Sequence, residues 1–255
     1  MAPAKPSARR GQWETSGDAA RVPFGPLTLV VELVPPSLQF HHDDFSCGVW
    51  MAFTRVPADA WLETPDTFYR REDEIVAAWS RGGAGALRWE MVWRLISSSV
   101  PGVGVAGEWL LSATPLAPEP TAVEWELRGG FVSDDLRWRT ASEWVLPRKV
   151  TGEAARAAAA EGVAVAYSRV DGPQVVMMVG PGDAVSATLE PDADVDGAWR
   201  CTWRFGATGL EKGVIRRWRI RWCVLPSGGN EEAGPACYDE FRRSPAPLQG
   251  WPFSG

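Results

Sequence analysis

Large apolar residues alternate with mainly polar ones along three segments of this chain, and this period of two limits the possible folds more than any other feature. In residues 87–95, leucine, tryptophan and methionine occupy every second position, with arginine, glutamate and valine between them. Residues 198–205 and 214–224 repeat the pattern, with tryptophan on one face and arginine on the other. Successive side chains of a β-strand point to opposite sides, so each segment is predicted to be a strand with one buried face.

Tryptophan is unusually frequent, with 15 residues in a chain of 255. Six of these tryptophans lie in the alternating segments, where the two of each pair are four residues apart and share a face with other apolar residues: Trp89, Trp93, Trp199, Trp203, Trp218 and Trp222. A buried indole fills a large volume, so we predict that these six form the core. Trp138 and Trp144 lie among polar residues, and both are candidate ligand-binding residues.

The remaining apolar runs are separated by proline, glycine and aspartate, which is typical of short strands joined by turns. They occupy residues 27–34, 47–56, 108–112, 122–132, 137–146, 163–170, 174–179 and 185–189. The spacing of residues 198–205 and 214–224 predicts a β-hairpin with a long loop. We therefore predict an all-β fold, an antiparallel β-sandwich of simple or supersandwich type, with one or two short helices.

Helical signals are few. Residues 66–80 are as compatible with a short helix as with other structures, residues 151–161 are rich in alanine, and residues 238–243 predict one helical turn. Residues 1–23, rich in proline, alanine and arginine, predict a flexible leader. Residues 24–255 are then predicted to form a single large β-sandwich domain, with a candidate junction near residues 151–161.

Charge and composition argue against several kinds of partner. A net charge of -6 and a pI of about 5.1 disfavour nucleic acid, which requires a basic surface. The chain begins without an apolar signal segment and no run approaches 18 apolar residues, so we predict no membrane partner and a cytoplasmic location.

Cysteine spacing and acidic runs predict no metal or other cofactor. The four cysteines form no CxxC pair, and Cys201 and Cys223 lie within strand-like runs, where we expect buried thiols. The acidic residues 192–197 match part of a calcium loop, but its twelfth position is Trp203 instead of glutamate. We interpret this run as an acidic turn.

His41 and His42 are the only histidines, and Asp43 and Asp44 follow them directly. If the chain is an enzyme that uses histidine, its catalytic residues must come from this cluster, because His41 with Asp43, or His42 with Asp44, could share one side of a strand. The alternative is a polar loop between two strands. The sequence contains no GxSxG, HExxH or P-loop motif.

Arg217, Arg219 and Arg221 form a row on one face of the predicted strand 214–224. Like charges at this spacing repel unless they are matched, and Glu124 and Glu126 offer one matching face. Three interpretations are open: a solvated ladder of glutamate and arginine, a surface for an anionic ligand or acidic sugar, and a face for self-association. The second makes the three arginines candidate ligand-binding residues.

Two resemblances add expectations. The stretch GLEKGVIRRWRIRWCVLP (209–226), followed by YDEFRRSPAPLQGW (238–251), resembles the C-terminal region of uncharacterised bacterial proteins. In length, strand density and aromatic content, the chain resembles galactose-mutarotase-like, or aldose-epimerase-like, supersandwiches and carbohydrate-binding sandwiches. Aldose epimerases use two well-separated histidines and a late glutamate, whereas His41 and His42 are adjacent and early. Such a resemblance implies a fold, and function does not follow from fold alone.

Three hypotheses of function remain open at this point. The leading one is a non-catalytic binding or structural protein whose ligand is a carbohydrate or an acidic molecule. The second is a carbohydrate-active enzyme of aldose-epimerase type that uses His41 or His42 with a carboxylate. The third is a self-assembly module that forms a homo-oligomer through the unpaired edges of an open sandwich.

Overall fold

The protein is described by a computed structural model in which two antiparallel β-sheets pack face to face. The structure describes residues 12–24, 27–42, 45–53, 64–81, 86–133, 135–139, 143–145, 162–168, 172–192, 198–226 and 232–245. The predicted all-β antiparallel sandwich is confirmed. The predicted junction at residues 151–161 lies outside the described residues.

One sheet contains eight described strands, which we call the eight-stranded sheet. They are β1 (Glu14–Ser16), β2 (Ala19–Phe24), β3 (Leu27–Leu33), β4 (Pro36–His42), β5 (Phe45–Phe53), β10 (Thr121–Val132), β15 (Ala184–Pro191) and β16 (Ala198–Leu210). Their order in space is β1-β2-β3-β4-β5-β10-β16-β15. The last three strands, at one side of the sheet, position the candidate site.

The other sheet, called the nine-stranded sheet, contains nine described strands and carries a helix on its outer face. The strands are β6 (Thr67–Arg71), β7 (Glu74–Arg81), β8 (Leu87–Ile96), β9 (Val105–Pro115), β11 (Asp135–Arg139), β12 (Trp144–Val145), β13 (Val163–Ser168), β14 (Gln174–Val179) and β17 (Arg216–Leu225). Their order is β12-β11-β13-β14-β17-β9-β8-β7-β6. The helix α1 spans Ala233–Arg243.

The core between the sheets is largely aromatic. Trp125 of β10 meets Trp218 of β17 edge-on, with ring centroids 5.7 Å apart, and Phe40 of β4 meets Trp222 of β17 at 5.3 Å. Both contacts join one sheet to the other. Of the six tryptophans predicted as core, five are fully buried and Trp199 is half-buried against the same cluster, so the core prediction is confirmed.

The segment that was compatible with a short helix, residues 66–80, instead contributes to a β-hairpin of β6 and β7. The two strands are joined by a two-residue turn in which Glu72 has a φ of 50°, the left-handed conformation that such turns need. Ile75 and Trp79 are buried on the inner face of β7. The sheet environment therefore outweighs the local helix propensity.

The strands at residues 198–205 and 214–224 do not form the predicted hairpin. β16 pairs with β10 and β15, whereas β17 pairs with β14 and β9 in the opposite sheet. The connecting residues pass from the eight-stranded sheet to the nine-stranded sheet. Each strand has one tryptophan-rich face, and both faces become buried when the strands lie on opposite sides of one core.

Residues 12–23 are ordered, in contrast to the flexible leader predicted over 1–23. They form β1 and most of β2. Trp13 is fully buried, its Nε1–H donates to the carbonyl oxygen of Asp73 at 3.0 Å, and its own carbonyl oxygen accepts from Arg70 at 2.7 Å. Burial of a single indole therefore attaches this part of the chain to the β6–β7 hairpin.

Helix α1 covers the outer face of β13, β14 and β17, and it is longer than the predicted turn at 238–243. Its buried residues are spaced as one face of a helix and include Cys237, Tyr238 and Phe241. They pack on small and aliphatic side chains of the sheet, such as Ala164 and Val176. The thiols of Cys201 and Cys223 are buried, as predicted.

Candidate functional site

His41 is the only member of the histidine cluster whose side chain lies within the described residues. His41 is half-buried near the end of β4, where it alternates with the buried Phe40 and so faces outward. The side chain of His42, and both Asp43 and Asp44, lie outside the described residues. Their catalytic role stays a prediction.

In the arginine row, Arg219 and Arg221 lie beneath α1 and the residues that follow this helix, so these two side chains do not face solvent. Arg219 and Arg221 are buried, and Arg217 is half-buried and donates to the Ser112 hydroxyl at 2.9 Å. Arg219 donates to the Ser244 hydroxyl at 3.0 Å and to the Pro245 carbonyl at 2.9 Å. These contacts fasten the end of the helix, so they do not leave Arg219 and Arg221 available to a ligand.

Glu108 of β9 matches this row, in place of the predicted Glu124 and Glu126. Its Oε1 accepts from Arg221 at 2.6 and 2.9 Å, and its Oε2 accepts from Arg94 at 2.5 and 3.0 Å. Burial opposes ionisation of Glu108, but attraction and hydrogen bonds from the two arginines outweigh it and hold the pKa of this carboxyl below its ordinary value. Glu124 and Glu126 lie on β10 in the other sheet.

The two tryptophans proposed as ligand contacts differ from each other. The side chain of Trp138 is fully buried in the main core, so it cannot stack on a ligand at the surface. Trp144 is half-buried on the short edge strand β12 and packs against the cluster beneath α1. The polar neighbours of Trp138 in the sequence lie on the opposite face of β11. For this reason the local composition wrongly indicated an exposed tryptophan.

A groove of about 540 Å³ lies on the outer face of the eight-stranded sheet. It is lined by Glu124 and Glu126 of β10, Val185 and Ser186 of β15, and Arg204 and Phe205 of β16. This volume is within the range of roughly 300–1,000 Å³ that small-molecule sites occupy. The groove is therefore the candidate functional site.

Charged side chains form the centre of this site. Glu126 is buried because two arginines lie over it: its Oε1 accepts from Nε of Arg204 at 2.9 Å, and its Oε2 accepts from Nε and Nη2 of Arg128 at 3.1 and 2.8 Å. The Arg204 side chain stays 68% exposed and contacts Glu126 through Nε. Its terminal nitrogens can therefore donate to a ligand.

A β-bulge shapes the wall of the groove. The register between β15 and β16 shifts between Ala184 and Ser186, so that Val185 and Ser186 both lie towards the groove while Ala184 and Ala187 stay buried. Bulges re-aim side chains in this way and are frequent beside functional sites. Below the groove, the rings of Trp125 and Phe205 stack at a centroid distance of 3.8 Å and support the strands from the core.

The sequence contained a partial signal for this site. Glu124 and Glu126 were singled out as a possible matching face for the Arg217–Arg221 row, and Arg204 occupies the polar face of another alternating segment. The sequence could not show that Glu126 and Arg204 are direct neighbours on adjacent strands. His41 does not join them: it pairs with Ser46 and Glu126 pairs with Ala52, six residues further along β5, which is about 20 Å.

Asp183 directly precedes β15, where the chain passes from the nine-stranded to the eight-stranded sheet. Its Oδ2 accepts from the backbone N–H of Arg219 at 3.3 Å, and its Oδ1 lies 3.6 Å from Nη2 of Arg216. Burial raises the pKa of Asp183 to about 6, because these two partners on β17 only partly offset the loss of water around the carboxylate.

Replacing Asp183 with asparagine is expected to stabilise the protein at pH 7.5. The unfolded carboxyl ionises near 3.8 and the folded one near a pKa of 6, so the folded state binds more protons between these values and stability falls as pH rises. A difference of about two pKa units corresponds to about 3 kcal/mol. Between pH 4.5 and 7.5, the free energy of unfolding measured by urea denaturation should fall less for Asp183→Asn than for the wild type.

The control for this prediction is Glu190→Gln, which removes an exposed carboxyl from the same strand. In this control, the free energy of unfolding should depend on pH as it does in the wild type. If the stability of Asp183→Asn decreases with pH as steeply as that of the wild type, the raised pKa is contradicted.

The described part of the chain shows neither a cluster of metal-ligating side chains nor a helix that could span a membrane. No group of three or more histidine, cysteine, aspartate and glutamate side chains lies close enough to hold a metal ion there. Asp192, from the acidic run, pairs instead with Arg200 at 2.9 Å. None of the described helices has the length and apolar character needed to span a membrane.

Solved structures of carbohydrate-related proteins share this fold. A galactose mutarotase-like protein from Clostridium acetobutylicum is 9% identical, with a TM-score of 0.54 over 86% of this chain and 99% of that one. A galactose mutarotase related enzyme from Lactobacillus acidophilus is 6% identical, with a TM-score of 0.53 over 86% and 99%. The alpha-N-acetylgalactosaminidase NagBb from Bifidobacterium bifidum is 16% identical, with a TM-score of 0.56 over 87% of this chain and 38% of that enzyme.

These likenesses confirm the resemblance to galactose-mutarotase-like sandwiches at the level of the fold. No protein-family model matches the sequence, and no curated protein matches it. The resemblance of the C-terminal third to uncharacterised bacterial proteins stays a prediction.

Proposed function

We propose that the groove of β10, β15 and β16 binds a neutral carbohydrate and that the chain does not transform it. The observation that carries this proposal is the largely exposed guanidinium of Arg204 in the lining of the groove, which is held at its Nε by the buried Glu126. Sugar hydroxyls both donate and accept hydrogen bonds. The terminal nitrogens of Arg204 can donate to one hydroxyl, and the hydroxyl of Ser186, which both donates and accepts, offers a partner to a second.

The charge balance of the groove favours a neutral ligand over an acidic one. Glu124 and Glu126 contribute two negative charges to the lining and Arg204 contributes one positive charge, while Arg128 pairs with Glu126. The carboxylate of an acidic sugar would be repelled by both glutamates, and the groove has no excess of arginine to compensate for this repulsion. The acidic ligand considered for Arg217–Arg221 also loses its support, because Arg219 and Arg221 are buried beneath α1.

An apolar surface accompanies the charged centre. Val185 is 65% exposed at the groove, although most valines of the described strands are buried. A sugar ring has an apolar C–H face, and burying that face on an aliphatic side chain removes apolar area from water. Carbohydrate sites combine such a surface with a few placed polar groups. The carbohydrate-related descriptions of the structural neighbours agree with this ligand class.

Binding is favoured over epimerisation by the position of the titratable groups. Opening a sugar ring requires a base and an acid within hydrogen-bond reach of the same ring. Both oxygens of Glu126 already accept from arginines. His41 lies about 20 Å away along the strands, beyond the span of one sugar.

The proposal is tested by a glycan array followed by titration calorimetry on the best ligand. Arg204→Ala should weaken binding about 10- to 100-fold, because it removes charge-assisted hydrogen bonds. The variant should keep the wild-type circular dichroism spectrum and lose only a little thermal stability, because the buried Glu126 still pairs with Arg128. Arg88→Ala removes a similarly exposed arginine from the nine-stranded sheet and should leave binding unchanged.

Two outcomes would contradict the proposal. Absence of binding across the array removes the carbohydrate ligand. Faster mutarotation of D-glucose or D-galactose in the presence of the wild-type chain, measured by polarimetry and lost in His41→Ala, would replace a binding role with the aldose-epimerase alternative.

A further inference from the structure

Three aliphatic side chains form a buried row on the outer face of the nine-stranded sheet, beside the part of the sheet that α1 covers. Val76 of β7, Val92 of β8 and Leu110 of β9 are direct neighbours in register. They are only 4%, 5% and 1% exposed. Among the described residues they form a cluster of their own, separate from the main core and from the residues beneath α1.

The side chains around this aliphatic row do not explain its burial. On one side, Arg94 and Glu108 are held to each other by two hydrogen bonds. On the other side, Ala78 and Ser112 have short side chains, and 36% of the Glu90 side chain is exposed to solvent. A valine or leucine on a solvated sheet face keeps part of its surface in water, so burial this complete requires a further segment of the chain over the row.

The residues after α1 lead directly onto this row. The carbonyl oxygen of Pro245 accepts from Nη1 of Arg219 at 2.9 Å, and Arg219 is paired in register with Leu110. Helix α1 covers the sheet on the other side of Arg219, so the direction that it leaves open runs across β9, β8 and β7. Adjacent strands are about 4.8 Å apart, which places Val76 about 14 Å from Arg219.

We infer that residues 246–255, which lie outside the described residues, dock on this aliphatic row with the indole of Trp251 over Val92 and Val76. Six residues of extended chain separate Trp251 from Pro245 and span up to about 20 Å, which is enough to reach the far end of the row. The segment carries no charged residue, as a cover for aliphatic side chains requires, and an indole supplies a large apolar area. The docked segment extends across the sheet the cover that α1 begins.

A double-mutant cycle on the full chain tests this contact. In urea denaturation, Trp251→Ala and Val92→Ala should each raise the unfolding equilibrium constant. The combined variant should raise it at least about 3-fold less than the product of the two single changes, because side chains in contact are energetically coupled. The matched control is Val185→Ala, a valine on the outer face of the opposite sheet, whose effect should combine with that of Trp251→Ala without coupling.

A second measurement does not depend on how much stability each variant loses. The ring current of an indole displaces the resonances of methyl groups packed against it. In methyl NMR spectra of the folded proteins, Trp251→Ala should therefore shift the resonances of Val92 and Val76 and leave those of Val185 in place.

Either of two results would refute the docking. One is that the methyl resonances of Val92 and Val76 are the same in the wild type and in Trp251→Ala. The other is that the changes at Trp251 and Val92 combine without coupling, as those at Trp251 and Val185 should. A different segment of the chain would then cover the row, and the proposed carbohydrate binding in the groove of the other sheet would be unaffected.

Discussion

Replacing Glu108 with glutamine is expected to lower the free energy of unfolding by about 3–5 kcal/mol, as is typical when a buried ion pair loses one partner. The change leaves the buried Arg221 without its closest carboxylate and weakens the partner of Arg94. Arg219, 3.8 Å from the same carboxylate, loses its nearest counter-charge on β9. Urea denaturation at pH 7, followed by circular dichroism, measures the loss.

The matched control is Glu90→Gln on the neighbouring strand β8. Glu90 lies 3.7 Å from Arg88, and both side chains are at least one-third exposed, so the expected loss is below about 1 kcal/mol. A loss in Glu108→Gln as small as that in Glu90→Gln would show that the buried network contributes little.

The same network should make the protein sensitive to acid. Because the pKa of Glu108 is held below its ordinary value, its contribution is present at neutral pH and is lost as pH falls through the folded pKa. This dependence is opposite in sign to that of Asp183, whose pKa is raised. Glu108→Gln should therefore lose less stability on acidification than the wild type does.

Replacing Trp138 with alanine is expected to lower the free energy of unfolding by about 3–5 kcal/mol, the usual cost of removing a buried tryptophan. Its indole is completely buried between the two sheets, and the cavity left by the change cannot be filled by the neighbouring strands without moving them. Denaturant unfolding of the variant provides the measurement.

Trp144→Ala is the comparison for this prediction, because the two tryptophans have similar polar neighbours in the sequence. Trp144 is half-buried on an edge strand of two residues, so its loss should be clearly smaller than that of Trp138. If instead Trp138→Ala retains full stability and loses glycan binding, the ligand-binding role considered from the sequence is correct and the buried position is wrong.

Much of the local structure could be predicted from the pattern of residues. The segment 87–95 became β8, with Trp89 and Trp93 buried and Arg88 exposed. Alternation predicts which residues of a strand are buried, because the direction of each side chain in a strand depends on the backbone alone. Composition left a short helix and other structures equally open at residues 66–80, and burial of Ile75 and Trp79 in a sheet decided for strands.

The candidate site could be predicted only in part. Glu126 and Arg204 are separated by 78 positions in the chain and become neighbours through the pairing of β10 with β16. The arginine row was identified, but its partner was not: Glu108, rather than Glu124 or Glu126, faces Arg221 across β9 and β17. Charge alone does not distinguish among these glutamates, because every one of them alternates with buried residues.

By itself, the sequence determined that this chain forms strands with one tryptophan-rich face and one charged face, because the period-two alternation is a local property. Only the tertiary structure decided which charged faces remain open. One was covered by α1, which turned Arg219 and Arg221 into buried structural residues. The other stayed exposed around Arg204, because strand register and a bulge, which depend on contacts distant in sequence, left a groove there.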